Sequence, residues 1–139
     1  MPIYEEKLDP SREDVDAVLS ALVANESLSG RDGGYQPFSV LLRDTPEGPV
    51  IGGVYGYALF DWLFIQYLAV PPSLKGHGIG SELMGRAEAW ARGRGLAGMW
   101  LDTFAFQARP FYEKLGFSLF GEINDHPRGS SRYFLHKRL

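Results

Sequence analysis

Apolar residues recur along this chain in two periods, and the switches between them divide it into elements. Val15, Val18, Leu19, Leu22 and Val23 fall on one face at helical spacing. They follow Asp9-Pro10-Ser11, which supplies capping side chains and an early proline for a helix start. That helix is expected to end over residues 27–30, with residues 30–34 as a loop. Ahead of it, residues 3–8 read as a short first strand. Residues 38–43 are strand-like and run into the turn Thr45-Pro46-Glu47-Gly48-Pro49. Residues 50–60 form a long β-prone segment in which Gly52-Gly53 is read as a bulge. Asp61-Trp62 makes a tight connection to a strand over residues 63–70. Pro71-Pro72 closes that strand, because proline has no N–H for a ladder. Three strands joined in succession predict an antiparallel meander.

The period then changes. Ile79, Leu83, Ala87, Trp90 and Ala91 line one face of a second helix, and Glu82 and Arg86 form an i,i+4 pair on another. Gly93 and Gly95 stand where a C-cap is needed. Residues 99–104 read as a strand reached by a helical crossover, hence parallel to the strand at 63–70. A short helix over 108–115 has Pro110 in its first turn and Gly116-Phe117 as a Schellman ending. Residues 118–123 and 132–137 make a final antiparallel pair. The predicted order is β-α-β-β-β-α-β-α-β-β, an α+β (mixed α/β) fold around a mostly antiparallel mixed sheet of about seven strands. With neither repeat nor low-complexity linker, residues 1–139 are expected to form a single domain.

Composition narrows the function without naming it. A 139-residue chain with 45% hydrophobic and 22% charged residues is that of an ordinary globular domain. A net charge of −3 gives no reason to expect nucleic acid as a partner. There is no cysteine, so disulfides and thiol nucleophiles are excluded, and His77, His126 and His136 lack the spacing of a zinc site. No metal is expected. The first residues lack a basic segment followed by an apolar one, and no apolar run approaches a membrane span, so a cytoplasmic location with no membrane partner is expected.

The segment with the most chemistry is Lys75-Gly76-His77-Gly78-Ile79-Gly80-Ser81, between a strand and a helix. A glycine-rich turn at a helix N-terminus presents free backbone N–H groups and the positive end of the helix dipole to an anion. The spacing is not that of a P-loop, since the Gly-Lys-Ser/Thr ending is absent. It is not a dinucleotide fingerprint either: residue 81 is Ser, and Asp102 falls late and inside a strand.

Leu68-Ala69-Val70-Pro71 and the loop behind it instead resemble motif A of the GNAT superfamily, the acetyl-CoA-dependent N-acetyltransferases. The family's Arg/Gln-x-x-Gly-x-Gly/Ala is matched by Lys75-x-x-Gly78-x-Gly80, with Lys in the first place. Ala108-Arg-Pro-Phe111-Tyr112-Glu-Lys-Leu-Gly-Phe117 is similar to motif B, and the element order extends the resemblance over essentially the whole chain. The resemblance implies acetyl-CoA as acetyl-donor co-substrate, its pantetheine arm inserted where the strand at 63–70 splays from that at 99–104. It implies cofactor binding by Leu68, Ala69, Val70, Lys75, Gly76, His77, Gly78, Ile79, Gly80, Ser81, Ala108 and Phe111. The backbone N–H of Leu68 would polarise the thioester carbonyl. Tyr112 would be catalytic, protonating the departing thiolate. Two departures stand out. Many members carry a glutamate on the strand before the loop, whereas here that strand has Gln66; some carry Asn where this chain has Ala105. Asp61, Asp102 and Glu122 are candidate bases, and none is assigned.

The function implied is transfer of an acetyl group from acetyl-CoA to a primary amine, directly in a ternary complex. The alternative is a non-catalytic acyl-CoA-binding module. The acceptor is a small-molecule or peptide amine of unknown identity. Part of the aromatic set Tyr55, Tyr57, Phe60, Trp62, Phe64 and Tyr67, with loops 29–34 and 124–131, is expected to border its pocket. A possible homodimer follows from analogy with the family.

Overall fold

A computed structural model describes residues 1–24 and 33–139. These group into two compact units, 1–33 and 34–139. In the first unit, helix α1 spans Arg12–Ala24. Its start is a reciprocal capping box: the Asp14 N–H donates to Ser11 Oγ at 3.0 Å, and the Ser11 N–H donates to Asp14 Oδ2 at 2.9 Å. Lys7 pairs with the same carboxylate at 2.8 Å. These contacts hold the Asp14 carboxyl below the usual range, the Lys7 hydrogen bond most of all. The helix end expected over 27–30 and most of the 30–34 loop lie outside the described residues.

Residues 3–8 form no strand, which corrects the predicted order to α-β-β-β-α-β-α-β-β and the strand count to six among the described residues. The apolar residues there are interrupted by Glu5-Glu6-Lys7, and an extended segment without a ladder partner gains nothing from its strand propensity.

The second unit is one mixed sheet with two helices. Strand β1 spans Gln36–Leu42, β2 Gly52–Leu59, β3 Trp62–Ala69, β4 Gly98–Phe104, β5 Ser118–Asn124 and β6 Ser131–Arg138. The order across the sheet is β1-β2-β3-β4-β6-β5, and only β3 and β4 are parallel. Helix α2, Ile79–Gly93, makes the crossover between those two strands, and helix α3, Arg109–Lys114, follows β4. Leu83, Met84, Ala87 and Ala91 of α2 are buried with Val54, Ala58, Leu63, Ile65, Met99, Leu101 and Leu135 of the sheet. Phe38 of β1 stacks on Trp90 at 4.6 Å and fastens the end of α2.

Both helices of this unit end as their glycines predict. Gly95 has φ +74°, and the N–H groups of Gly95 and Leu96 donate to the carbonyls of Arg92 and Ala91, both at 3.0 Å. Gly116 has φ +95°, and the N–H groups of Gly116 and Phe117 donate to Glu113 and Tyr112 at 3.0 and 3.1 Å. Each is a Schellman pair, which a left-handed residue at C′ makes possible.

The bulge is not at Gly52-Gly53. Those residues pair regularly with Leu42 and Leu41. Gly53 instead permits close strand contact: a Cβ there would lie 2.2 Å from the Val40 carbonyl. The irregularity lies across the other edge of β2, where Tyr55 pairs with Tyr67 and Gly56 with Ile65, leaving Gln66 of β3 as the extra residue.

Candidate active site

The bulge at Gln66 coincides with the end of the parallel ladder. β3 and β4 pair from Trp62↔Gly98 to Ile65↔Leu101 and no further. Beyond that point β3 still pairs with β2 as far as Ala69, and β4 still pairs with β6 as far as Phe104. The strands therefore splay while each stays anchored on its outer side. One edge of residues 66–69 is left without a ladder partner, with backbone donors and acceptors available.

A cleft of about 710 Å³ opens at this wedge. Leu68, Ala69 and Val70 form one wall; Lys75, Gly76, Gly78, Ile79, Gly80 and Ser81 form the end; and Ala108, Phe111 and Tyr112 face them. Of the residues expected at the site, His77 alone does not line it. Its Nδ1 sits 3.1 Å from the Leu74 carbonyl, which keeps the ring on the turn. Leu74, Phe106 and Gln107 also line the cleft and were not anticipated. For Gln107, a polar residue directly between a strand and a helix start was the available signal.

The turn is built by its glycines. Pro72–Leu74 is a 3₁₀ turn, and the chain then passes through Gly76 at φ +85° and Gly78 at φ +74°. Gly78 is the N-cap of α2, and its carbonyl accepts the Glu82 N–H at 3.0 Å. The helix's first N–H groups have no intrahelical acceptor and open toward the cleft end, a setting suited to phosphate. Gly80 serves another end. A Cβ there would lie 3.2 Å from Cζ of Phe111, tighter than ordinary contact, so its absence eases the approach of Phe111 to α2.

Tyr112 is half-buried between Phe111 and Phe117, whose rings lie edge-on at 5.1 and 6.1 Å. Burial first, and the negative charge of Asp102 second, push its phenol above the ordinary value near 10. Such a group remains a proton donor throughout the neutral range. Among the candidate bases, Asp61 lies exposed in the β2–β3 turn and Glu122 exposed on edge strand β5. Asp102 lies one residue past the last β3–β4 pair, held by Arg132 at 2.7 Å. Arg132 also reaches His126 Nε2 at 3.5 Å.

Beside the bulge, Tyr35, Tyr55, Tyr57 and Tyr67 form a cluster. The Tyr35–Tyr57 rings are 5.3 Å apart and the Tyr55–Tyr67 rings 6.1 Å apart, and Gln66 Nε2 donates to the Tyr67 hydroxyl at 3.3 Å. A hydrogen bond with Tyr35 is the main reason the Tyr55 phenol is raised. Among the described residues, no group of three or more His, Asp or Glu side chains is placed to hold a metal, and no helix is long and apolar enough to cross a membrane.

Comparison with known proteins identifies the family and agrees with the fold. Residues 3–117 match the model of the acetyltransferase (GNAT) family. A blasticidin-S acetyltransferase of Streptomyces morookaense is 39% identical over 94 residues, covering 67% of this chain and 69% of that protein. An acetyltransferase of Agrobacterium fabrum is 32% identical over 123 residues, covering 88% and 89%. A crystal structure from Agrobacterium tumefaciens superposes with a TM-score of 0.89 at 29% identity, covering 100% of both chains.

Proposed function

The chain belongs to the GNAT acetyltransferase family, and from that premise we propose that it moves the acetyl group of acetyl-CoA onto a primary amine of a small molecule, directly, in a ternary complex. The observation that carries this reading is the wedge. A bulge at Gln66 frees the edge of residues 66–69 opposite a glycine-built helix N-terminus, with Tyr112 on the facing wall.

The residues divide the work as follows. The free edge at Leu68 and Val70 pairs with the amides of the pantetheine arm as an added strand would. The 75–81 turn takes the pyrophosphate, with Lys75 as a point charge lacking an arginine's fork. The Leu68 N–H donates to the thioester carbonyl oxygen as negative charge collects there. The amine attacks as the free base; at pH 7 an alkylammonium of pKa ~10.4 must first lose a proton, at a cost of roughly 4.6 kcal/mol. As the C–S bond breaks, the thiolate takes the Tyr112 proton. The raised phenol is then re-protonated readily, consistent with a donor that must be restored each turnover. With no cysteine in the chain, an acyl-thioenzyme has no nucleophile, which favours direct transfer.

The likeness to a blasticidin-S acetyltransferase supports a small-molecule acceptor. The test is thiol release from acetyl-CoA over a panel of small amines that includes blasticidin S, with lysine peptides as the contrasting class. Turnover with a small amine is expected. Tight acetyl-CoA binding with no turnover on any amine would favour a binding module instead, a reading to which the absence of a β3 carboxylate lends its one observation.

A further inference from the structure

Gln107 lines the cleft, and its hydrogen bonds fix which way its amide faces. Backbone N–H groups alternate sides along a strand. The Ala105 N–H donates to the Ser131 carbonyl at 2.8 Å, toward β6. The Phe104 N–H therefore points the other way, to the side β3 has left. That donor would be the next rung of a β3–β4 ladder, but Gln107 Oε1 accepts it at 2.9 Å and also accepts the Thr103 hydroxyl at 3.3 Å. Both lone pairs of the amide oxygen are engaged. A backbone N–H can only donate, so the oxygen faces β4 and the Nε2 faces away. Nε2 has no protein acceptor among the described residues.

We propose that Gln107 Nε2 donates to an amide carbonyl of the pantetheine arm from the β4 side of the wedge, in place of the backbone rung that Phe104 no longer offers. The arm is then held on both flanks, by the β3 backbone on one and by this side chain on the other. Ala105, three residues before motif B, has no polar group to serve that flank. The proposal rests on reading the cleft as the acetyl-CoA site.

Gln107→Glu tests it. The glutamate is isosteric and keeps an oxygen for the Phe104 N–H and the Thr103 hydroxyl, but it replaces the free donor with an acceptor. Titration calorimetry would compare acetyl-CoA with the 3′-phosphorylated ADP fragment of coenzyme A, which keeps the phosphates and lacks the arm. The expected result is a loss of acetyl-CoA affinity on the order of tenfold, with the fragment changed by less than about twofold. Unchanged acetyl-CoA affinity, or an equal loss for the fragment, would overturn it. A wild-type protein that binds neither ligand overturns the premise as well. Should Gln107→Glu not fold, Gln107→Met carries the same comparison with the same outcomes.

Discussion

Replacing Lys137 with Met tests how the acetyl-transfer wall is held in place. Lys137 Nζ donates to Glu88 Oε1 of α2 at 2.7 Å and to the Leu115 carbonyl at 2.8 Å. Leu115 is the C-cap of α3, the helix that carries Tyr112. One ammonium therefore ties β6, α2 and the end of α3 together, and supplies a cation where the α3 dipole favours one. Both paired side chains are only about a quarter exposed (24% and 25%), so solvent screens them less than a surface pair. Methionine keeps most of the apolar stem. Losing two charge-assisted bonds, one to a carboxylate that still has Arg92 at 3.1 Å, is expected to cost about 2 kcal/mol, roughly half from each. At ~2.1 cal/mol/K per residue over this chain, that lowers Tm by roughly 7 °C. Urea unfolding adds a sign. The Lys137 hydrogen bond is the main reason the Glu88 carboxyl lies below its ordinary value. The pair's stability is thus fully present above the unfolded carboxylate value near 4.3, and is lost as pH falls through the lower folded one. The gap between wild type and variant should shrink from about 2 kcal/mol at pH 7 to about 1 near pH 2. A gap below about 0.5 kcal/mol at neutral pH, or one that does not change with acid, would show that Lys137 does not hold α3 in this way.

Three further outcomes are expected. Tyr112→Phe should lower kcat by about a hundredfold or more with acetyl-CoA affinity within about twofold; in wild type no Tyr112-dependent loss of rate is expected below pH ~10, because burial and Asp102 raise the phenol, and a loss near pH 9 abolished by the variant would contradict this. Gly78→Ala places a side chain at φ +74°, so calorimetry should show a cost of about 1 kcal/mol together with a raised KM for acetyl-CoA; an unaltered KM would argue against the turn as the phosphate cradle. Gly98→Ala brings a Cβ within 2.4 Å of the Trp62 ring at the first β3–β4 pair, and chemical unfolding should show a loss of about 1–3 kcal/mol.

Where the sequence was legible, a local rule and the tertiary structure agreed. The face of α2 from Leu83 to Ala91 follows helical spacing because it meets the sheet. Gly95 and Gly116 end helices because a left-handed C′ residue is a backbone requirement visible in one letter. Most cleft residues followed from the two motifs; Leu74, Phe106 and Gln107 did not, and His77, expected there, has its ring retained on the turn by Leu74. The misses have a common cause. A bulge is a mismatch between two strands, so Gln66 bears no mark of it, while Gly52-Gly53 looks like one and instead allows close backbone approach, Gly53 to β1 and Gly52 to Ala69 of β3. Residues 3–8 have a strand's composition without a ladder to join. Gln107 acts through an amide orientation that only its contacts with Thr103 and Phe104 reveal.

In the proposed reaction the wedge between β3 and β4 delivers an acetyl group to a small amine without passing it through the protein. Acetyl-CoA carrying an isotopically labelled acetyl group, incubated with the enzyme and blasticidin S or another amine that supports thiol release, tests it by mass spectrometry of both acceptor and protein. Labelled acetyl on the acceptor nitrogen, coenzyme A thiol in equal amount, and no label on the protein at any time are the expected results. Label accumulating on the protein before the acceptor, or acetyl-CoA bound and left intact with every amine, would contradict it.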